Sequence, residues 1–197
     1  MTTNNKIELM APAGNFESLQ AALDNGCDSV YFGVEQLNMR ARASVNFTMD
    51  DLDEIAKRCE AKNVRSYLTL NTIIYDHDLS VVKTLINKAK EANITAVIAS
   101  DQAVIAMARS VGMEVHISTQ LNVTNIETIK FYSLFADTMV LSRELSLRQV
   151  KKITEQIEKE QIKGPNGNLV EIEIFGHGAL CMAVSGKCYL SLHSHNS

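Results

Sequence analysis

Two cysteines seven positions apart, Cys181 and Cys188, carry Gly186 between them and follow an apolar run that opens into glycine. Val170 to Phe175 reads as a strand, Gly176-His177-Gly178 breaks it, and the thiols come next. Backbone that lies near a ligand must lack bulk, so a strand running out into glycines ahead of reactive side chains is a site-building pattern. Core packing accounts for Leu180, Met182 and Val184. It does not account for three glycines, a histidine and two cysteines in so short a span. On one continuous helix, seven residues put both thiols on one face about 10 Å apart along the axis, too far for a single zinc ion. Rearranged around Gly186, the two suit adjacent corners of an iron–sulfur cluster. A redox pair and two inert, buried thiols are the alternatives.

Either kind of metal site takes four protein ligands. Cys27 lies just before the second apolar strand and Cys59 within a helix. Both are expected to be structural, since free cysteines are mostly buried. The missing ligands are therefore expected beyond residue 197. His177, at a strand end, is a candidate ligand or catalytic group. His193 and His195 lie near the terminus and are weaker candidates, and His116, inside a strand, reads as a satisfied core histidine. Asp76-His77-Asp78 reads as the cap of the next helix. Arg40, Arg42 and Arg143 could converge on an anion, because a guanidinium fork suits carboxylate or phosphate. Arg143 equally suits a structural ion pair with the adjacent Glu144. No HExxH, GxSxG or GxxxxGK[ST] occurs, so no standard machinery for peptide hydrolysis or phosphate binding is visible.

The elements that must position these groups alternate along the chain. Expected strands are Lys6–Ala11, Asp28–Gly33, Arg65–Leu70, Ala96–Ala99, Glu114–Ile117, Thr138–Leu141 and Val170–Phe175. Amphipathic helices lie between them, the first ending at Gly26 and the second capped by Thr48. Nearly continuous apolar strands alternating with helices imply an α/β fold with a parallel sheet. An open doubly wound sheet and a (β/α)8 barrel both fit. The barrel is preferred because Pro12-Ala13-Gly14, Asn71, Asp101, Ser118 to Gln120, Arg143-Glu144 and His177 all follow strands, where a barrel gathers its functional groups. Asn71, Asp101, Ser118, Gln120, Arg40 and Arg42 are the candidate substrate-binding residues. Glu173, His177, Arg143 and Glu144 are the candidate catalytic ones. Seven βα units are visible and the eighth is not, so residues 1–197 are expected to be the N-terminal barrel part of a longer polypeptide.

Composition narrows the class. The chain has 197 residues, 46% hydrophobic and 21% charged, which suits a globular domain with a sizeable core. A net charge of -4 supplies no chain-wide basic face for non-specific grip on nucleic acid. No apolar run is long enough to span a membrane, and no signal peptide is recognisable at the start. Four cysteines at irregular spacing do not form a disulfide framework, and a reducing cytoplasm is expected.

These residues resemble the collagenase-like peptidases, the thirty-second family of unassigned catalytic type. The family signature is Glu-x-Phe-x-x-Gly-Ser/Ala-aliphatic-Cys, four residues, then Gly-x-Cys-x-aliphatic-Ser. Glu173, Phe175, Gly178, Ala179, Leu180, Cys181, Gly186, Cys188, Leu190 and Ser191 match every specified position. ELMAPAG, DSVYFG, YLTLNTI, HISTQ and VLSRELS extend the resemblance along the whole chain. The resemblance implies one of two activities. Members named as collagenases imply a peptidase and a peptide substrate. Others are oxygen-independent hydroxylation proteins acting on tRNA, ribosomal RNA or ubiquinone precursors, with a [4Fe-4S] cluster on four cysteines. The tRNA branch draws on prephenate as hydroxyl donor. On that resemblance Cys181 and Cys188 correspond to the first two cluster ligands, and VLSRELSL with HGALCMA looks most like the tRNA branch.

Overall fold

Parallel strands cannot be joined by a tight turn, and each successive pair here is joined through a helix. The computed structural model describes residues 7–34, 37, 47–178, 181 and 183–187. It comprises two units, Met1–Met113 and Glu114–Ser197.

In the first unit, β1 (Met10–Ala13), β2 (Ser29–Phe32), β3 (Arg65–Leu70) and β4 (Ala96–Ala99) pair in parallel and in sequence order. The register aligns Pro12, Tyr31, Tyr67 and Ala96. Because alternate side chains share a face, Met10, Tyr31, Tyr67, Ala96 and Ile98 pack into one cluster. The Tyr67 hydroxyl leaves that cluster to donate to Glu8 (2.8 Å), whose carboxylate also pairs with Arg65. The helices are α1 (Phe16–Asp24), α2 (Leu52–Glu60), α3 (Leu79–Glu91) and α4 (Gln102–Ser110). Asn15 and Ser18 close a capping box at the start of α1, and Gly26, at φ 78°, follows its end as expected. Thr48 caps a short 3-10 turn that leads into α2. Asp78 accepts from Tyr75 N–H ahead of α3, so Asp76-His77-Asp78 is a helix entry.

In the second unit, β5 (Glu114–Ile117), β6 (Thr138–Val140) and β7 (Glu171–Glu173) are again parallel and in order, with α5 (Ile126–Tyr132) and α6 (Leu147–Glu160) between them. Glu114 and His116, Thr138 and Val140, and Glu171 and Glu173 therefore share one face of these strands, and Val115, Ile117, Met139 and Ile172 the other. Among the described residues, no helix is long and apolar enough to cross a membrane.

Two strands differ from expectation by more than one residue at an end. β1 starts four residues later than Lys6 and takes in Pro12 and Ala13, while Ile7 and Leu9 are exposed. The apolar run misplaces it because Leu9 is held by Asp28, whose carboxylate accepts from Leu9 N–H (2.9 Å). β7 is confined to Glu171–Glu173, because Val170 N–H donates to Ile162 of the preceding hairpin (3.0 Å), and Ile174 and Phe175 are exposed.

Candidate functional site

Three turns of the second unit meet, each following a strand. The first follows β5: a 3-10 turn over Thr119–Leu121, started by Ser118, whose hydroxyl accepts from Gln120 N–H (3.3 Å). It ends in Asn122 at φ 54°, a left-handed conformation that asparagine tolerates better than most residues. The second follows β6. Leu145 N–H donates to Ser142 O (3.3 Å), which places Arg143 and Glu144 at the middle of the turn. Ser142 ties it to the first turn through Oγ–H to Asn122 Oδ1 (2.7 Å).

The third is the cysteine-bearing segment. Lys187 N–H donates to Val184 O (2.9 Å), and Gly186 has φ 72°, the positive value that the third residue of a type II turn requires. Ser185, 1% exposed, is held twice: its N–H donates to Glu144 Oε1 (2.7 Å), and its Oγ accepts from Arg143 N–H (3.2 Å). Arg143 also gives Nη2 to Ala183 O (3.1 Å). Arg143, Glu144, Cys181, Ala183 and Val184 line an open pocket of about 290 Å3.

The electrostatics follow from these contacts. The Ser185 N–H, with Arg143 adding its charge, holds the Glu144 carboxyl below its ordinary value. Cys181 is exposed, and the Arg143 side chain and a backbone hydrogen bond from Ala183 hold its thiol below its ordinary value. Cys27 and Cys59 are buried in the first unit. Burial pushes both thiols up, Cys59 to about 11, with Cys27 adding to that shift. Glu173 is half-buried, and burial pushes its carboxyl up against the opposing influence of His116. His116 is itself buried, with Nε2 3.0 Å from Glu114 Oε1.

The structure thus brings Arg143, Glu144 and Cys181 to one pocket, with Gln120 against the same segment at Gly186. The carboxylate of Glu144 and one arm of Arg143 engage the cysteine segment. Ser118 is a buried turn starter and His177 is exposed on the bend after β7. Asn71 and Asp101 follow β3 and β4 in the first unit. Asp101 caps α4, its carboxylate accepting from Ala103 N–H (2.8 Å). Cys188, Arg40, Arg42, His193 and His195 lie outside the described residues, as do Leu190 and Ser191. Among the described residues, no three His, Cys, Asp or Glu side chains are grouped to hold a metal ion. Cys181 fits one corner of a thiolate-ligated centre by exposure and by its charge environment. Cys27 and Cys59 do not fit such a role. Ser185, Ser142 and Asn122 were not singled out by sequence. The signal that pointed near them was Gly186, which follows Ser185 in the third turn.

The sequence pattern of peptidase family U32 matches residues 14–197. The chain is 58% identical over 193 residues to a collagenase of Porphyromonas gingivalis, covering 98% of this chain and 47% of that protein. It is 32% identical over 191 residues to the tRNA hydroxylation protein P1 of Bacillus subtilis, covering 95% of this chain and 42% of that one. The chain therefore spans less than half the length of these relatives. Among solved structures, the U32 peptidase Mk0906 is similar with a TM-score of 0.64 at 14% identity, over 88% of this chain and 69% of that one. That likeness shows the fold alone. The matched pattern covers β2 to β7 and all three turns, the cysteine segment among them: the chain belongs to peptidase family U32.

Proposed function

We propose that this chain is the barrel part of an iron–sulfur-dependent RNA hydroxylation protein, acting on tRNA. The observation that carries the reading is the placement of Cys181: an exposed thiol in an open pocket, on a segment held by four hydrogen bonds, with a guanidinium beside it. A redox-active cluster needs such fixed thiolate ligands, and a segment already in place spares it the ordering of a loose loop. Cys181 and Cys188 are the two ligands that this chain supplies, and the other two come from elsewhere in the polypeptide. When bound, the cluster supplies electron transfer at this pocket.

The chain's own residues orient the substrate. Arg143 brings positive charge to a ligand in the pocket, a carboxylate-bearing hydroxyl donor such as prephenate, or a phosphate of the RNA. Asn71, Asp101, Ser118, Gln120, Arg40 and Arg42 are the substrate-binding residues of this proposal. Glu173 and His177 hold or move protons.

The second reading is a peptidase, favoured by the relative 58% identical, which is named a collagenase. Mass spectrometry of tRNA nucleosides separates the two. Hydroxylated nucleosides should disappear when the gene is deleted, return with the full-length protein, and fail to return with Cys181→Ala. Cleavage of collagen peptides that survives iron chelators, with tRNA nucleosides unchanged by the deletion, supports the peptidase instead.

A further inference from the structure

We infer that Arg143 and Glu144 are positioning residues, which with Ser185 and Gly186 latch the cysteine segment onto the turns after β5 and β6. The inference concerns the same pocket as the proposed function and rests on that reading only for the purpose of the latch, not for its existence.

Three hydrogen bonds come from residues about forty positions away in sequence, and one close backbone approach comes from Gln120, farther back along the chain. Glu144 Oε1 accepts from Ser185 N–H (2.7 Å), and Arg143 N–H donates to Ser185 Oγ (3.2 Å). Arg143 Nη2 reaches Ala183 O (3.1 Å), and a Cβ at Gly186 would stand 2.5 Å from Gln120 O. Each contact lands on the segment's backbone or on its one buried hydroxyl. Glu144 commits one carboxylate oxygen to a short, charge-assisted bond with a fixed N–H, which is what a clamp does. The two sides of the clamp also match in form. Arg143 and Glu144 occupy the middle of one turn, and Ser185 and Gly186 the middle of the other. Two turns whose central residues bond reciprocally fix the segment in both position and rotation. The direction in which Cys181 faces is thereby set by residues 143 and 144 rather than by the thiols.

The test uses the full-length protein without metal and follows hydrogen–deuterium exchange in the peptide covering residues 183–187. Glu144→Ala removes the acceptor, whereas Glu144→Gln keeps a carbonyl oxygen at the same place. A bond to a charged acceptor is worth enough that Glu144→Ala should speed exchange there on the order of tenfold or more, with the thermal midpoint of the whole protein little changed. Glu144→Gln should restore most of the protection. Should Glu144→Ala prove too unstable to purify, Ser185→Ala, which removes the hydroxyl's contacts with Arg143 and Glu144 but keeps the amide bond to Glu144, should give a smaller acceleration confined to the same peptide.

Exchange unchanged in Glu144→Ala, or equally fast in Glu144→Ala and Glu144→Gln, overturns the latch. For Ser185→Ala, unchanged exchange does the same. Iron content of the anaerobically purified parent is read separately. Parent protein without iron, together with the expected exchange pattern, removes the cluster reading and leaves the latch standing.

Discussion

A Cβ placed on Gly186 would lie 2.5 Å from the carbonyl oxygen of Gln120 and 3.3 Å from its carbonyl carbon. The neighbour is backbone, so it cannot swing aside as a flexible side chain would. Gly186 also holds φ 72°, which side-chain-bearing residues adopt only at a cost. Gly186→Ala should therefore destabilise the segment by about 1–3 kcal/mol from backbone strain alone, with the clash adding to it. Limited proteolysis should detect faster cleavage within residues 181–187, while helices α1 and α3 stay resistant.

The latch carries a pH signature. The Glu144 carboxyl lies below its ordinary value of 4.5 because the charged form accepts from Ser185 N–H. A group with a depressed folded pKa contributes stability that is present above the unfolded value and lost as pH falls through the folded one. The segment should remain fixed at and above pH 4.5 and loosen only below it. The Ser185 amide resonance, followed by NMR during acid titration, should shift with an inflection below 4.5 in the parent and show none in Glu144→Gln.

Burial acts in the opposite direction on Glu173. A carboxyl whose folded pKa is raised favours the protonated form in the fold, so its contribution is present at low pH and lost as pH rises through the folded value. At neutral pH the ionised Glu173 is a net cost. Glu173→Gln should raise the thermal midpoint at pH 7, and the gain should vanish as the pH drops below the ordinary 4.5. Loss of activity in that stabilised variant would mark Glu173 as functional rather than structural.

Much of this frame was legible in the sequence, and the reason is local. β3, β4 and β5 fall on the residues that their apolar patterns mark, because periodicity acts over a few positions. The burial of Cys27 and Cys59 and the seating of His116 against Glu114 follow from the same short-range logic. β1 was misplaced because Pro12, which reads as a loop, sits opposite Tyr31 in the sheet. The partners of Arg143 and Glu144 were not legible at all. They lie about forty residues along the chain, and only the fold of β6 and β7 brings the two turns together. Sequence offered anion binding or a mutual ion pair for Arg143, and the structure adds the bonds of both residues to the cysteine segment.

The two remaining thiols give a contrasting prediction. Cys59 is buried and pushed up to about 11, so at neutral pH it stays protonated and unreactive. A thiol reagent should modify Cys181 in the folded, metal-free protein and reach Cys27 and Cys59 only on unfolding. Because the folded pKa of Cys59 is raised, its contribution to stability should hold below the ordinary 9.0 and fall as pH rises towards 11. Alkaline thermal scans of Cys59→Ala should lack that last decline, although the variant loses packing at every pH.

The central claim is that Cys181 is a ligand of an iron–sulfur centre. The measurement that tests it most directly is iron and acid-labile sulfide in the full-length protein purified without oxygen, with its visible spectrum, for the parent and for Cys181→Ala. The account predicts about four irons and four sulfides per chain with a broad visible absorption in the parent, all lost in the variant. A colourless parent without iron, or a variant that keeps its iron, would contradict it.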